Sequence, residues 1–206
     1  MAAPGENLRI NSDRLWDSIM EMAKIGPGVA GGNNRQTLTD EDGEGRRLFR
    51  NWCDEAGLEM AVDQMGTMFA RREGADPDAL PVYVGSHLDT QPTGGKYDGV
   101  LGVLGGLEVV RSLNDLGIKT KHPIVVTNWT NEEGSRFAPA MMASGVFAGA
   151  KMPYHVMSSQ PLTVSEIEGV SGMTAERFVP PVPRSFSRPA FTCASTVGML
   201  VNIICT

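Results

Sequence analysis

Three stretches decide the fold: LPVYVGSHLDT (80–90), GGKYDGVLGVLGGLEVVRSLND (94–115) and IVVTNWTNEE (124–133). The run Leu80-Pro81-Val82-Tyr83-Val84 is apolar throughout rather than alternating, which predicts a strand buried on both faces. Residues Gly99 to Leu116 predict a helix ending at Gly117, and Ile124 to Trp129 predict the next buried strand. A β-α-β order implies a parallel pair joined by a right-handed crossover. In such sheets functional groups collect at the carboxyl ends of the strands. His87 lies just past the first predicted strand and Glu132-Glu133 just past the second, so they should face one crevice.

Working outward, Asn11-Ser12-Asp13 can cap a helix carrying Leu15, Ile19 and Met22 on one face. Gly26-Pro27-Gly28 and Gly31-Gly32 end it in a loop. Thr39-Asp40-Glu41-Asp42 resembles a capping box for a second helix, with Leu48, Phe49, Trp52, Cys53 and Ala56 as its buried face and Gly57 as its stop. Glu59–Val62 and Thr67–Ala70 read as short strands about an Asp63-Gln64-Met65-Gly66 turn. Gly99, Gly102, Gly105 and Gly106 recur at helical spacing and suit close packing of helix on sheet. They do not make a dinucleotide fingerprint, and Gly94-Gly95-Lys96 lacks the spacing of a phosphate loop. His122, before Pro123, reads as an exposed turn residue, and Met141-Met142 as part of a packed helix face.

Composition narrows the function. The 206 residues carry a formal charge of −6 with no basic cluster, which argues against nucleic acid and anionic membrane as partners. The longest apolar stretch, Val197 to Cys205, is too short to span a bilayer, and the N-terminus lacks a signal pattern. Cys53, Cys193 and Cys205 are odd in number and widely spaced, which fits a reducing compartment and a cytoplasmic location. The chain changes character after about Gly149. Residues 151–206 hold six of the 13 prolines and a balance of +1, against −7 for residues 1–150. Two units are therefore expected: 11–149, an α/β catalytic portion, and 150–206, a divergent Pro-rich tail that is poorly ordered.

The residues at the strand ends suit a hydrolytic metal site. Zinc takes imidazole nitrogen and carboxylate oxygen, and a ligating histidine usually donates its other ring N–H to a carboxylate that fixes its orientation. Asp89 places a carboxylate two residues after His87, where it can do that. Asp98, beyond a Gly/Pro-rich loop, can fold back to bridge two metals. Adjacent Glu132 and Glu133 point in different directions, so one can ligate while the other serves as general base. Each residue has a bland alternative: a lone histidine after a strand is usually structural, and adjacent glutamates usually form a solvated face.

Taken together, GSHLDTQPTGGKYDGVLGVLGGLEVVRSLND (85–115) and TNEEGSRFAPAMMASGVFAG (130–149) closely resemble the di-zinc amidohydrolases acting on N-carbamoyl amino acids. These comprise the N-carbamoyl-L-amino-acid hydrolases, β-ureidopropionases and allantoate amidohydrolases, within the aminoacylase and carboxypeptidase clan of metallopeptidases. The resemblance runs from about Asn11 to Gly149. It implies an α/β fold, part of a zinc-exopeptidase-like three-layer α/β/α catalytic domain, here truncated. It implies that His87 holds one metal, Asp98 bridges both and Glu133 ligates the second, with Glu132 as general base and Asp89 orienting His87. It implies two divalent ions, Zn or Mn, with the second site incomplete in this chain, and homodimers among full-length relatives. The implied reaction is hydrolysis of the ureido C–N bond of a small-molecule N-carbamoyl amino acid; TQPTGG (90–95) favours that group over the allantoate enzymes. The family's H-x-E-Q-type motif and its final histidine ligand have no match in residues 150–206, since His155 sits in Met152-Pro153-Tyr154-His155-Val156. The alternative reading is accordingly a non-catalytic fragment with an incomplete metal site.

Overall fold

The computed structural model describes residues 8–151. The expectation for the Pro-rich tail falls almost wholly on residues outside this range. The first helix, α1 (Ser12–Met22), is capped by Asn11, whose side chain accepts from the Arg14 N–H at 3.0 Å. The second, α2 (Asp40–Glu55), starts at Thr39, whose hydroxyl accepts from Asp42 N. The Asp42 carboxylate returns to the N–H of Leu38 at 2.8 Å, one residue earlier than a standard capping box would reach. A single 3₁₀ turn, Val29–Gly31, lies in the loop between them.

Strands β1 (Glu59–Val62) and β2 (Met68–Arg72) form a hairpin. Its turn is held by Asp63, whose carboxylate accepts from the N–H groups of Met65 and Thr67 at 2.8 and 2.9 Å. Strand β3 (Val82–His87) leads through α3 (Val100–Asp115) to β4 (Ile124–Trp129). The sheet order is β1-β2-β4-β3, with β3 parallel to β4 and the other pairs antiparallel. The parallel pair predicted from the β-α-β order is therefore present.

The expectation for β3 needs correction. The strand runs from Val82 to His87, so it begins later than the apolar run and includes His87 as its last residue. Pro81 has no N–H to donate, and pairing to β4 carries on as far as Trp129. β3 is also not buried on both faces. Among the described residues it forms the edge of the sheet, its residues are mostly half-buried, and Leu80 is exposed.

Alternation divides the sheet into two faces. Val62, Met68, Ala70, Val84, Ile124 and Val126 join Leu15, Ile19, Met22, Phe49, Cys53 and the apolar stripe of α3 in one core. Each fully buried Val, Leu, Ile, Met or Phe side chain in it contributes about 1.5–3 kcal/mol. The helix comes close because Gly102 and Gly106 face Ser86 and Val84, as the glycine spacing predicted. On the opposite face Phe69, Tyr83 and Trp129 pack with Phe147 of α4 (Met142–Phe147), whose ring centroid is 5.0 Å from that of Trp129. The three-layer order thus holds, with α4 alone forming the second helical layer among the described residues. Met142 is buried beside Met65, whereas Met141 is exposed and left-handed at the helix start, so only one of the pair packs.

Candidate functional site

Strand ends β3 and β4 bring His87, Asp89, Glu132 and Glu133 to one corner. His87 closes β3 and is buried. Its Nδ1 lies 2.8 Å from the backbone carbonyl of Asp89. A carbonyl only accepts, so Nδ1 is the donor, and in the neutral ring Nε2 then carries the lone pair. The contact expected from the Asp89 carboxylate is thus made by the Asp89 main chain, and the carboxylate lies 3.8 Å from Nδ1.

The Asp89 carboxylate is turned towards the β4 side. Its two oxygens accept from the N–H groups of Glu132 and Glu133 at 3.3 and 3.2 Å. Burial pushes the Asp89 carboxyl up to about 6, opposed by the nearby His87 and by these two N–H groups. A single carboxylate thus ties the loop after β4 to the loop after β3. The glutamate side chains diverge, as adjacency predicted. Glu132 accepts from Ser144 Oγ at 2.7 Å, and Glu133 accepts from Gln91 Nε2 at 3.0 Å. Both are half-buried, whereas Asp98 is exposed.

Asp98 is followed by Gly99, which packs against the His87 ring. Gly99 has φ +68°, and a Cβ there would lie 2.5 Å from Nδ1 of His87. The position therefore requires glycine twice, for its backbone and for the imidazole lying against it. Among the described residues no hydrogen bond fixes the Asp98 carboxylate.

Imidazole nitrogen and carboxylates suit zinc or manganese, and the Nδ1–carbonyl bond presents Nε2 as a ligand, so the residues fit a divalent metal in kind. Among the described residues, however, no three His, Cys, Asp or Glu side chains are gathered closely enough to hold one.

Sequence reasoning missed the supports of this corner. Asn128, buried in β4, accepts from the N–H of Leu88 at 2.9 Å. Asn33 donates to the carbonyls of Ala23, Ile25 and Gly26, and its main chain exchanges hydrogen bonds with Gly94. Buried Arg35 lies beside Leu88 and Thr90. Arg136 donates to the carbonyls of Thr37 and Leu38. The loop between α1 and α2 therefore laces together the loops following β3 and β4. Its only signal in the sequence is a polar NNRQT run (33–37) after glycines, which reads as an ordinary surface loop.

The pattern of Peptidase family M20/M25/M40 matches residues 83–181. The chain is 84% identical over 149 residues to an N-carbamoyl-L-amino-acid amidohydrolase of Rhizobium meliloti, covering 72% of this chain and 36% of that protein. It is 41% identical over 162 residues to an N-carbamoyl-L-amino acid amidohydrolase of Geobacillus stearothermophilus, covering 79% and 38%. The fold matches a crystal structure of a hydantoinase/carbamoylase family amidase from Burkholderia ambifaria with a TM-score of 0.79 at 50% identity, covering 84% of this chain and 43% of that one. The chain thus spans well under half the length of these relatives. The β-α-β core and these identities agree in one likeness, to peptidase family M20/M25/M40 and, within it, to N-carbamoyl-L-amino-acid amidohydrolases and hydantoinase/carbamoylase family amidases.

Proposed function

We propose that this corner is part of the active site of a metal-dependent amidohydrolase that cleaves the ureido C–N bond of N-carbamoyl amino acids in the cytoplasm. The observation that carries the reading is the Asp89 carboxylate, which draws the Glu132–Glu133 backbone to the end of β3, beside His87. One water is consumed, and the products are the amino acid, carbon dioxide and ammonia.

His87 through Nε2, Asp98 and Glu133 would hold the metal ions, Zn or Mn, which when bound polarise the ureido carbonyl. Glu132 takes the proton from the attacking water and passes it to the departing nitrogen. Its second oxygen is steadied by Ser144 Oγ, which leaves one oxygen free for that exchange. Asp89 keeps His87 in the tautomer that presents Nε2, and it holds the two glutamates at a fixed distance by their main chain.

A second reading has its own support. The described residues assemble no complete metal-holding group, so these residues by themselves are expected to bind metal weakly and turn over little. The test assays purified chain, loaded with zinc or manganese, on N-carbamoyl-β-alanine and N-carbamoyl-L-amino acids. Turnover that falls about 10²–10⁴-fold in Glu132→Gln with metal content unchanged supports the hydrolase. Loss of metal in Glu132→Gln and its retention in Glu133→Gln would exchange the two roles. No metal-dependent turnover would leave the chain as a non-catalytic fragment.

A further inference from the structure

Arg35 is an unusual group to find under this corner. Its side chain is fully buried, yet it makes no hydrogen bond to a carboxylate. Nε donates to the carbonyl of Leu88 at 2.9 Å, and Nη1 to those of Met22 and Ile25 at 3.2 and 2.8 Å. Met22 and Ile25 lie at the end of α1, where carbonyls lack helical partners and the dipole is negative. The main chain of Arg35 is used as well: its N–H donates to Thr90 Oγ1 at 2.8 Å, and its carbonyl accepts from Thr90 N at 2.8 Å. The stem is wedged against α2, since a Cβ on Gly45 would lie 2.9 Å from Arg35 Cδ.

Arg35 thus grips both neighbours of Asp89, Leu88 with the guanidinium and Thr90 with its main chain. Asp89 in turn carries the corner, its carbonyl holding His87 and its carboxylate the amides of Glu132 and Glu133. A buried guanidinium has a substantial desolvation cost, and an unbranched apolar side chain of similar length would fill the same space without it. What such a side chain lacks is a rigid fork of donors that reaches three carbonyls at once.

We propose that Arg35 is a positioning residue for the reaction centre: it fixes the Leu88–Asp89–Thr90 backbone to the end of α1, and so sets where His87, Glu132 and Glu133 stand. The importance of that position rests on the hydrolase reading, but the test needs neither metal nor turnover. Isotope-labelled full chain is compared with Arg35→Met, with Thr90→Val, and with Leu113→Ala as a core change remote from the corner. Amide exchange and the ring-nitrogen signals of His87 are followed by NMR. In Arg35→Met, exchange at Glu132 and Glu133 should rise about tenfold more than in the β1–β2 hairpin. The proton on Nδ1 of His87 should also cease to be held in one tautomer. Thr90→Val should shift the same signals in the same direction to a smaller extent, and it decides the matter if Arg35→Met does not fold. Leu113→Ala should raise exchange broadly and leave the His87 tautomer alone. The proposal is overturned if the Glu132 and Glu133 amides move only in step with the hairpin, or if His87 is unchanged in the folded variant. Failure of the hydrolase reading would show separately, as absent metal-dependent turnover.

Discussion

Two buried acceptors, Glu108 and Asp89, organise two different parts of this molecule. Glu108, on α3, accepts from Arg14 Nε and Nη2 at 2.8 Å each, and also from Asn11 N and Ser112 Oγ. Arg14 reaches on to Asp115, and these carboxylates raise its guanidinium pKa further above the ordinary range. This is a matched ion pair between helices, with Arg14 partly in water. Asp89 has no cation within hydrogen-bonding distance. Its partners are main-chain N–H groups, and the buried guanidinium of Arg35 donates to carbonyls instead, with burial lowering its pKa. The first arrangement fastens α1 to α3. The second locates loops. Charge satisfied by charge gives stability, whereas charge satisfied by backbone specifies where the backbone goes.

The sharpest way to break this comparison is Glu108→Ala. It removes four hydrogen bonds and leaves Arg14 with only Asp115, so unfolding stability should fall by about 3 kcal/mol in urea denaturation. The Glu132 and Glu133 amides should show no selective change. If they did, the helix pair and the corner would be one unit rather than two.

Gly99→Ala tests the corner from its other side. A Cβ at φ +68° must displace the His87 ring, so a loss of about 2 kcal/mol is expected. The loss should come with a changed His87 ring-nitrogen spectrum, which Glu108→Ala should leave alone.

The smallest effect is expected at Asp63. Burial outweighs the hydrogen bonds from Thr67 and Met65 and raises its carboxyl above the usual range. The native state then holds this proton more tightly than the unfolded chain does. The group's contribution is therefore fully present below its unfolded pKa and is lost as pH rises through the native one. Asparagine keeps the acceptor oxygen and removes the titration. Asp63→Asn should flatten the fall in stability on raising pH from the acid range towards neutrality, by under about 1 kcal/mol. Urea midpoints at stepped pH for both chains would check this. The Asp89 carboxyl is raised as well, so the difference between the two chains isolates Asp63.

Much of the fold was legible because its signals are local. Asn11 and Thr39 cap the helices as read, Asp63 to Gly66 turn the hairpin, and β4 occupies Ile124 to Trp129. Strand β3 was misjudged because an apolar run reports that a segment is attracted to a core, but not how many neighbours the sheet supplies. At the site, the neighbourhood of His87, Asp89, Glu132 and Glu133 followed from β-α-β topology. The partner of His87 did not: the spacing points to the Asp89 carboxylate, whereas the ring meets the Asp89 carbonyl, because the carboxylate is taken by the amides of Glu132 and Glu133.

The sequence by itself determined the order of elements, the parallel pairing and the chemistry gathered at the strand ends, because caps, turns and periodicity act over a few residues and topology rules join them. Only the tertiary structure decided which oxygen holds His87, that Asp89 spends its carboxylate on two backbone amides, and that Arg35 and Asn33 are interior groups rather than members of a surface loop. A polar side chain enters a core only where distant backbone leaves donors or acceptors unmet, and those vacancies exist only once α1, β3 and β4 have come together.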